Sequence, residues 1–256
     1  MQPESRLDGK HVVLTGGSGG IGQLVTALLV DRGAHVTIVD RQPPPRPTAD
    51  FTEGDLSTAA GIAAVGAQLA LRPCEILVNL AGIQFFGVYD HQTPAQIEAT
   101  LNVNLLAPMM LTHSVLPGMR RRASGRIVNI GSIFGSIAFA HFVTYSSTKA
   151  GLRGFSEALR RELDGTGIGV TYIAPRAVKT PLNSSQVLAF AAASRMNMDS
   201  PEYVAAKIVA AIVGRRKDVY IGFPESLFVR VNSLLPRLVD AALSGSARTA
   251  RKILAT

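Results

Sequence analysis

The chain has a single cysteine, Cys74, in 256 residues. One thiol excludes a disulfide framework and any metal site built from several thiolates, and it fits a reducing compartment. Long apolar runs are missing as well. None approaches the ~18 consecutive residues that a membrane-spanning helix needs. The first ten residues, MQPESRLDGK, are polar and carry no apolar signal segment, so a cytoplasmic protein is expected. Acidic residues are scarce, 18 against 26 Lys and Arg, for a net charge of +8. Such a surplus suits nucleic acid, an anionic membrane surface or acidic ligands. No zinc-finger or RNA-recognition motif accompanies it, so no nucleic-acid partner is expected.

Hydrophobic residues make up 47% of the chain, too many for a disordered segment and enough for a sizeable core. Short β-branched runs at His11–Thr15, His35–Asp40, Glu75–Leu80, Arg126–Gly131, Ile168–Ala174 and Asp218–Phe223 read as strands buried on both faces. Amphipathic segments at Ile21–Arg32, Ser57–Leu71, Pro94–Arg121, Thr144–Leu163 and Pro201–Arg215 read as helices between them. Thr93-Pro94 and Ser200-Pro201 each place a capping side chain before a proline at the first helical position. Strand–helix alternation with short links predicts a single-domain α/β Rossmann fold, a doubly wound parallel sheet with helices on both faces. Two segments break the rhythm. Gln42–Asp50 has four prolines in nine residues and predicts a loop, and Lys179–Ser200 is long, apolar and weakly periodic, as a substrate lid would be. No internal repeat or linker divides the chain.

The first predicted strand runs into Gly16-Gly17-Ser18-Gly19-Gly20-Ile21-Gly22, and a helix follows. A Cβ-free turn there lets backbone N–H groups and the helix N-terminus face a pyrophosphate. The same residues fit GxSxG, the nucleophile elbow of hydrolases. That elbow needs a later acid and then a histidine, yet the last of the five histidines is His141, midway along the chain. Asp40 ends the second strand 20 residues after Gly20, the spacing at which a carboxylate meets the adenosine ribose hydroxyls. A carboxylate favours NAD over NADP, while the neighbouring Arg41 leaves NADP open. Asp55, beside Leu56 after a third strand, suits either the adenine amino group or the start of the next helix.

Tyr145 and Lys149 are four apart, one turn of a predicted helix, so the phenol and the ammonium share a face. A cation beside the phenol favours the phenolate and draws its pKa down from ~10. Ser132 follows a strand at the carboxyl edge of the sheet, where a hydroxyl can polarise a substrate carbonyl. Asn104 is a polar residue among Leu101, Val103, Leu105 and Leu106 and would need partners if buried.

From TGGSGGIG (15–22), through Asp55, NLAG (79–82), Asn104, Ser132 and YSSTK (145–149), in that order, the chain resembles the short-chain dehydrogenase/reductase family to about residue 222. The resemblance implies a nicotinamide-dependent oxidoreductase that interconverts a secondary alcohol and a ketone. Tyr145 would be its acid/base, Ser132 the carbonyl stabiliser, Lys149 a ribose ligand and pKa modulator, and Asn104 the holder of a relay water. Gly16, Ser18, Gly20, Ile21, Gly22, Asp40, Arg41, Asp55, Leu56, Ala81, Gly82, Pro175, Val178 and Thr180 would surround the cofactor, with Tyr145 and Lys149. Asn79 would brace the central strands. Pro175-Arg176 stands where the family commonly has Pro-Gly, so the larger side chain narrows the site or contacts its surroundings. A catalytically idle dinucleotide sensor on the same fold is the alternative, against which the intact Ser132, Tyr145 and Lys149 set argues.

Five of the ten phenylalanines, Phe85, Phe86, Phe134, Phe139 and Phe142, lie beside the expected site with Ile83 and Ile133. The lid adds Leu182, Val187, Leu188, Phe190, Met196 and Met198. This lining suits a lipophilic substrate, although several of these side chains could instead serve internal packing. The core is expected over 8–222, the lid over 176–200 and an extension over 223–256. In that extension Leu227, Phe228, Val231, Leu234, Leu235 and Leu238 form a stripe, with Arg230 and Arg237 off it and Pro236 as a kink. Residues 215–256 hold eight basic side chains against three acidic ones. Three roles are open for this basic tail: packing or a homodimer or homotetramer contact, peripheral membrane association, or a cover over the site.

Overall fold

The computed structural model describes residues 7–45 and 49–255, apart from the side chains of Ser226 and Leu227. The polar N-terminal residues 1–6, part of the proline loop and the Leu227 member of the tail stripe thus lie outside the described residues. Strands β1 (His11–Thr15), β2 (His35–Asp40), β3 (Asp50–Glu53), β4 (Ile76–Asn79), β5 (Gly125–Ile130), β6 (Ile168–Pro175) and β7 (Asp218–Ile221) form one sheet. Its order is β3-β2-β1-β4-β5-β6-β7, and every pairing is parallel. The strand order reverses between β1 and β4. Dinucleotides bind outside the carboxyl ends of the strands at such a point.

Alternation along the strands explains why both faces need helices. Val12, Leu14, Ile76, Val78, Val128 and Ile130 point to one side, against Val25 and Leu29 of α1 (Gly20–Val30) and Val204 and Ile208 of α7 (Pro201–Val213). Val13, Leu77 and Ile127 point to the other, against Ile62 and Val65 of α2 (Ala59–Ala70), Leu111 and Val115 of α4 (Ala107–Arg121) and Leu159 of α5 (Val143–Glu162). Each fully buried side chain of this size contributes about 1.5–3 kcal/mol, which makes the sheet a rigid platform. Ser200 caps α7 by accepting from the Tyr203 N–H at 3.2 Å. Thr93 and Gln96 close a reciprocal capping box on α3 (Pro94–Leu101).

Three elements depart from the sequence expectation. The segment Pro94–Arg121 is not one helix: a π-helical turn, Asn102–Leu106, separates α3 from α4. The long segment before α7 is not all loop, since Ser184 caps a helix α6 (Ser185–Ala193) by accepting from the Val187 N–H at 3.3 Å. Pro236 does not kink one tail helix. It occupies the first turn of α9 (Pro236–Leu254), after α8 (Glu225–Leu234) has ended, because a proline suits a helix start and not its interior.

Candidate active site

The carboxyl ends of the strands open into a cavity of about 500 Å³, lined mostly by apolar side chains. One half of it is the glycine-rich turn. Gly16 has φ +73°, and a Cβ there would lie 2.7 Å from the Ala81 Cα. A Cβ on Gly22 would come within 2.1 Å of the Gly16 carbonyl, so the turn can close onto the helix only without side chains. No side chain caps α1 and its first turn holds no acidic residue. Its free N–H groups at the cavity edge therefore suit an anion. Thr15 Oγ1 accepts from the N–H groups of Leu80 and Ala81, both at 3.1 Å, and ties the turn to the end of β4.

Asp40 stands where β2 ends at the same rim. Its carboxylate accepts from the Ser18 N–H at 3.0 Å and the Arg41 N–H at 2.8 Å, which anchors the far end of the turn. Asp55 accepts from the Ser57 N–H at 2.9 Å, and this bond chiefly holds its carboxyl below the usual range. Asp55 thus braces the approach to α2 and also lines the cavity. Gly20, Ile21, Arg41, Leu56, Gly82, Pro175, Val178 and Thr180 line it too. Ser18, Asn79 and Asn104 do not: the Ser18 hydroxyl donates to the Gln42 carbonyl at 2.7 Å, and the two asparagines are buried. Asn79 donates to Asn129 Oδ1 at 2.8 Å, and Asn129 donates to Ser156 Oγ at 2.9 Å, a buried polar ladder that joins β4, β5 and α5.

Ser132, Tyr145 and Lys149 line the middle of the cavity together. Ser132 follows β5 at the sheet edge, and its hydroxyl accepts from the Phe134 N–H at 3.1 Å. Burial pushes the Tyr145 pKa upward, and the Ser132 hydroxyl opposes that shift. The spacing of Tyr145 and Lys149 predicts a lowered phenol pKa, whereas desolvation dominates in the folded protein; the Lys149 Nζ lies 5.7 Å from the ring centroid. Lys149 is buried, donates to the Ile130 carbonyl at 2.9 Å, and has its pKa lowered by desolvation to about 8. Asn104 is fully enclosed in the π-helical turn. Its amide accepts from the Ile83 N–H at 2.9 Å and donates to the Ile83 carbonyl at 2.8 Å and Thr148 Oγ1 at 3.2 Å. The widened turn thus locks the loop after β4 to α5, a use to which π-turns at functional sites are often put.

Residues 10–189 match the family model for short chain dehydrogenases. This chain belongs to that family. The ketoacyl reductase HetN of Nostoc sp. is 32% identical over 91% of this chain and 88% of its own length. The D-xylose 1-dehydrogenase of Caulobacter vibrioides is 35% identical over 68% of this chain and 74% of its own. The Pseudomonas aeruginosa RhlG/NADP active-site complex superposes with a TM-score of 0.75 at 27% identity, covering 88% of this chain and 99% of that one. The protein is accordingly an NAD(P)-binding oxidoreductase on a Rossmann fold.

The other half of this dehydrogenase's cavity is apolar. Ile83, Phe134, Phe142, Leu182, Val187, Phe190, Met196 and Met198 line it. The remaining candidates do not reach it. Phe86 packs behind Phe142 and Phe190, with ring centroids 4.8 and 5.3 Å away, and Phe139 stacks on Phe134 at 4.4 Å. Ile133 is buried in a separate cluster, and Leu188 is exposed. Gln84, which no motif marked, ties the loop after β4 to the segment before α6 by donating to the Leu182 carbonyl at 3.1 Å and Asn183 Oδ1 at 3.2 Å.

Arg176 explains why the usual glycine is absent. Its guanidinium binds Asp199 through two bonds, at 3.0 and 2.7 Å, and also donates to Glu225 at 3.0 Å and the Phe223 carbonyl at 3.1 Å. One side chain therefore holds both ends of the lid segment and the start of the tail. At the far end of α9, Ala250 is buried beside Ile253 and Leu254 against Phe86, Phe142, Val187 and Phe190. Of the tail's expected roles, this is packing: its inner side lies against side chains behind the cavity wall.

Proposed function

We propose that this dehydrogenase interconverts a lipophilic secondary alcohol and its ketone, with NAD as the preferred cofactor. The observation that carries the reading is the meeting of Ser132, Tyr145 and Lys149 at the junction of a glycine-lined half and an apolar half of one cavity. When bound, the nicotinamide supplies a hydride acceptor or donor. The residues do the rest. In the reducing direction the neutral phenol of Tyr145, favoured by burial, donates its proton to the substrate oxygen while Ser132 hydrogen-bonds to the same oxygen. In oxidation the phenol must first lose that proton, and the Lys149 ammonium lowers the cost of doing so.

Gly16, Gly20, Ile21 and Gly22 would hold the pyrophosphate, with Ala81, Gly82, Pro175, Val178 and Thr180 along the nicotinamide side. The Asp40 carboxylate at the rim supports NAD, since a 2′-phosphate would meet a negative charge there. The neighbouring Arg41 is the one group at this rim that would favour NADP, which the similar RhlG structure carries. Asn104 and Asn79 act as braces. The eight apolar lining side chains favour a lipophilic substrate over a sugar. A cytoplasmic homodimer or homotetramer is the proposed form.

Nicotinamide fluorescence under turnover, with NADH and NADPH against lipophilic ketones and aldose sugars, tests the reading. Tyr145→Phe should retain nucleotide binding and lose about 10²–10⁴-fold in kcat. Undiminished turnover in that variant would sink the mechanism. Faster turnover of sugars would sink the substrate class, and a preference for NADPH would sink the cofactor assignment.

A further inference from the structure

Residues 223–254 present an outer surface that the reaction does not use. The inner side of the tail is well covered: Val229 and Val239 pack with Ile133 and Ile137, and Asn232 donates to the Ser136 carbonyl at 2.8 Å. The outer side is not. Phe223 is 75% exposed, Phe228 48%, Leu234 80%, Leu235 58% and Leu238 61%. These five large apolar side chains lie along one segment, where β7 passes into α8, on α8 itself, and where α8 passes into α9. Surface hydrophobics scattered singly need no explanation, but five within residues 223–238 do.

Cations are interleaved with that set. Arg230 and Arg237 fall between its members, and Arg248, Arg251 and Lys252 follow along α9; all five are exposed. At 3.6 residues per turn, Arg237, Arg248 and Arg251 return to within about 40° of one line, opposite the buried Val239 and Ala250 stripe. Among the described residues none of the five is held in an ion pair. The segment has two acidic residues. Glu225 is occupied by Arg176, which leaves Asp240.

We infer that this segment docks the protein on an anionic lipid bilayer, with the five apolar side chains entering the headgroup boundary and the five cations meeting lipid phosphates. Charge complementarity selects this occupant. A two-fold contact with a second copy would set the same unpaired arginines against each other, with one Asp240 per chain to offset them. Nucleic acid would satisfy the cations but leave Leu234, Leu235 and Leu238 in water. Membrane docking needs no turnover, so it stands or falls separately from the proposed reaction.

Flotation of the full chain with vesicles of phosphatidylcholine, alone or mixed with phosphatidylglycerol, tests this. Wild type should float with the anionic vesicles about tenfold more than with the neutral ones, and high salt should release it. Leu234→Ser/Leu235→Ser and Arg230→Glu/Arg237→Glu should each reduce flotation by about tenfold or more. Arg72→Glu/Arg121→Glu makes the same charge change at the opposite end of the sheet and should leave flotation within about twofold. Wild type left in solution with both vesicle types would overturn the inference. So would flotation that survives both tail variants, or an equal loss in the control, which would make binding a matter of net charge. A fall in molar mass by light scattering for Leu234→Ser/Leu235→Ser, without vesicles, would assign the segment to a second copy instead and equally overturn it. All four tail positions are exposed, and far-UV circular dichroism checks that each variant folds.

Discussion

Lys149 carries its charge into a buried position where the Ile130 carbonyl meets it at 2.9 Å, and its pKa falls from 10.5 to about 8. The sign of the consequence follows from proton binding. Between pH 8 and 10.5 the unfolded chain holds the proton more tightly than the folded one, so this residue's contribution to stability rises with pH across that window. Below pH 8 the buried ammonium exacts its full cost. Urea unfolding of wild type and Lys149→Met should show the variant's advantage largest near pH 7 and shrinking by pH 10, whereas a constant difference would refute the assignment. The subtraction matters because buried Cys74, whose pKa is pushed up to about 12, drives stability the other way above pH 9. Ser132, Tyr145 and Lys149 were legible as residues because their roles depend on local spacing. Asn129 and Ser156 were not, and Arg176 was marked without its partners: these lie 50, 27 and 23 positions away, and only folding brings them into reach.

Among the elements, the segment from β6 to α7 is held at its two ends by one guanidinium. Arg176 and Asp199 are both largely buried, and Lys179 and Asp199 also pair through their backbones at 3.1 Å. Removing the cation leaves a buried carboxylate without its bidentate partner. Arg176→Ala should therefore cost about 2–4 kcal/mol in chemical unfolding. Faster amide hydrogen exchange should appear in 176–200 and 223–235 together, and exchange rising in one of them alone would break the link between lid and tail. Six of the seven strands were read from the sequence to within one or two residues, since each is a short β-branched run buried in the sheet, whereas the edge strand β3, DFTE, has no such run and was given no bounds. Helix α6 was missed because its sequence, SQVLAFAAA, is apolar around most of its circumference and shows weak periodicity. The π-helical turn left no sequence signal beyond Asn104 itself, since one extra residue in a helix alters hydrogen bonding and not composition.

At the scale of the molecule, the end of the tail packs behind side chains that line the apolar half of the cavity, Phe142, Val187 and Phe190 among them. Ala250 is fully buried in the cluster that includes Phe142 and Phe190, so Ala250→Asp would force an unpaired carboxylate into it. The last turns of α9 should detach while the seven-stranded sheet stays folded. Limited proteolysis would then cut within 236–255 with far-UV circular dichroism nearly unchanged, and KM for a lipophilic ketone would rise more than kcat falls. Loss of the whole fold, or no change in KM, would deny the tail its part in the cavity. By itself the sequence determined the parallel α/β fold, the glycine turn, Asp40 at a strand end and the Ser132, Tyr145 and Lys149 set, because hydrophobic period and short spacings act along the chain. Only the tertiary structure decided which phenylalanines line the cavity, that burial raises the Tyr145 pKa, and that Arg176 joins lid to tail. Those outcomes depend on packing and desolvation between segments far apart in the chain, and no local pattern records them.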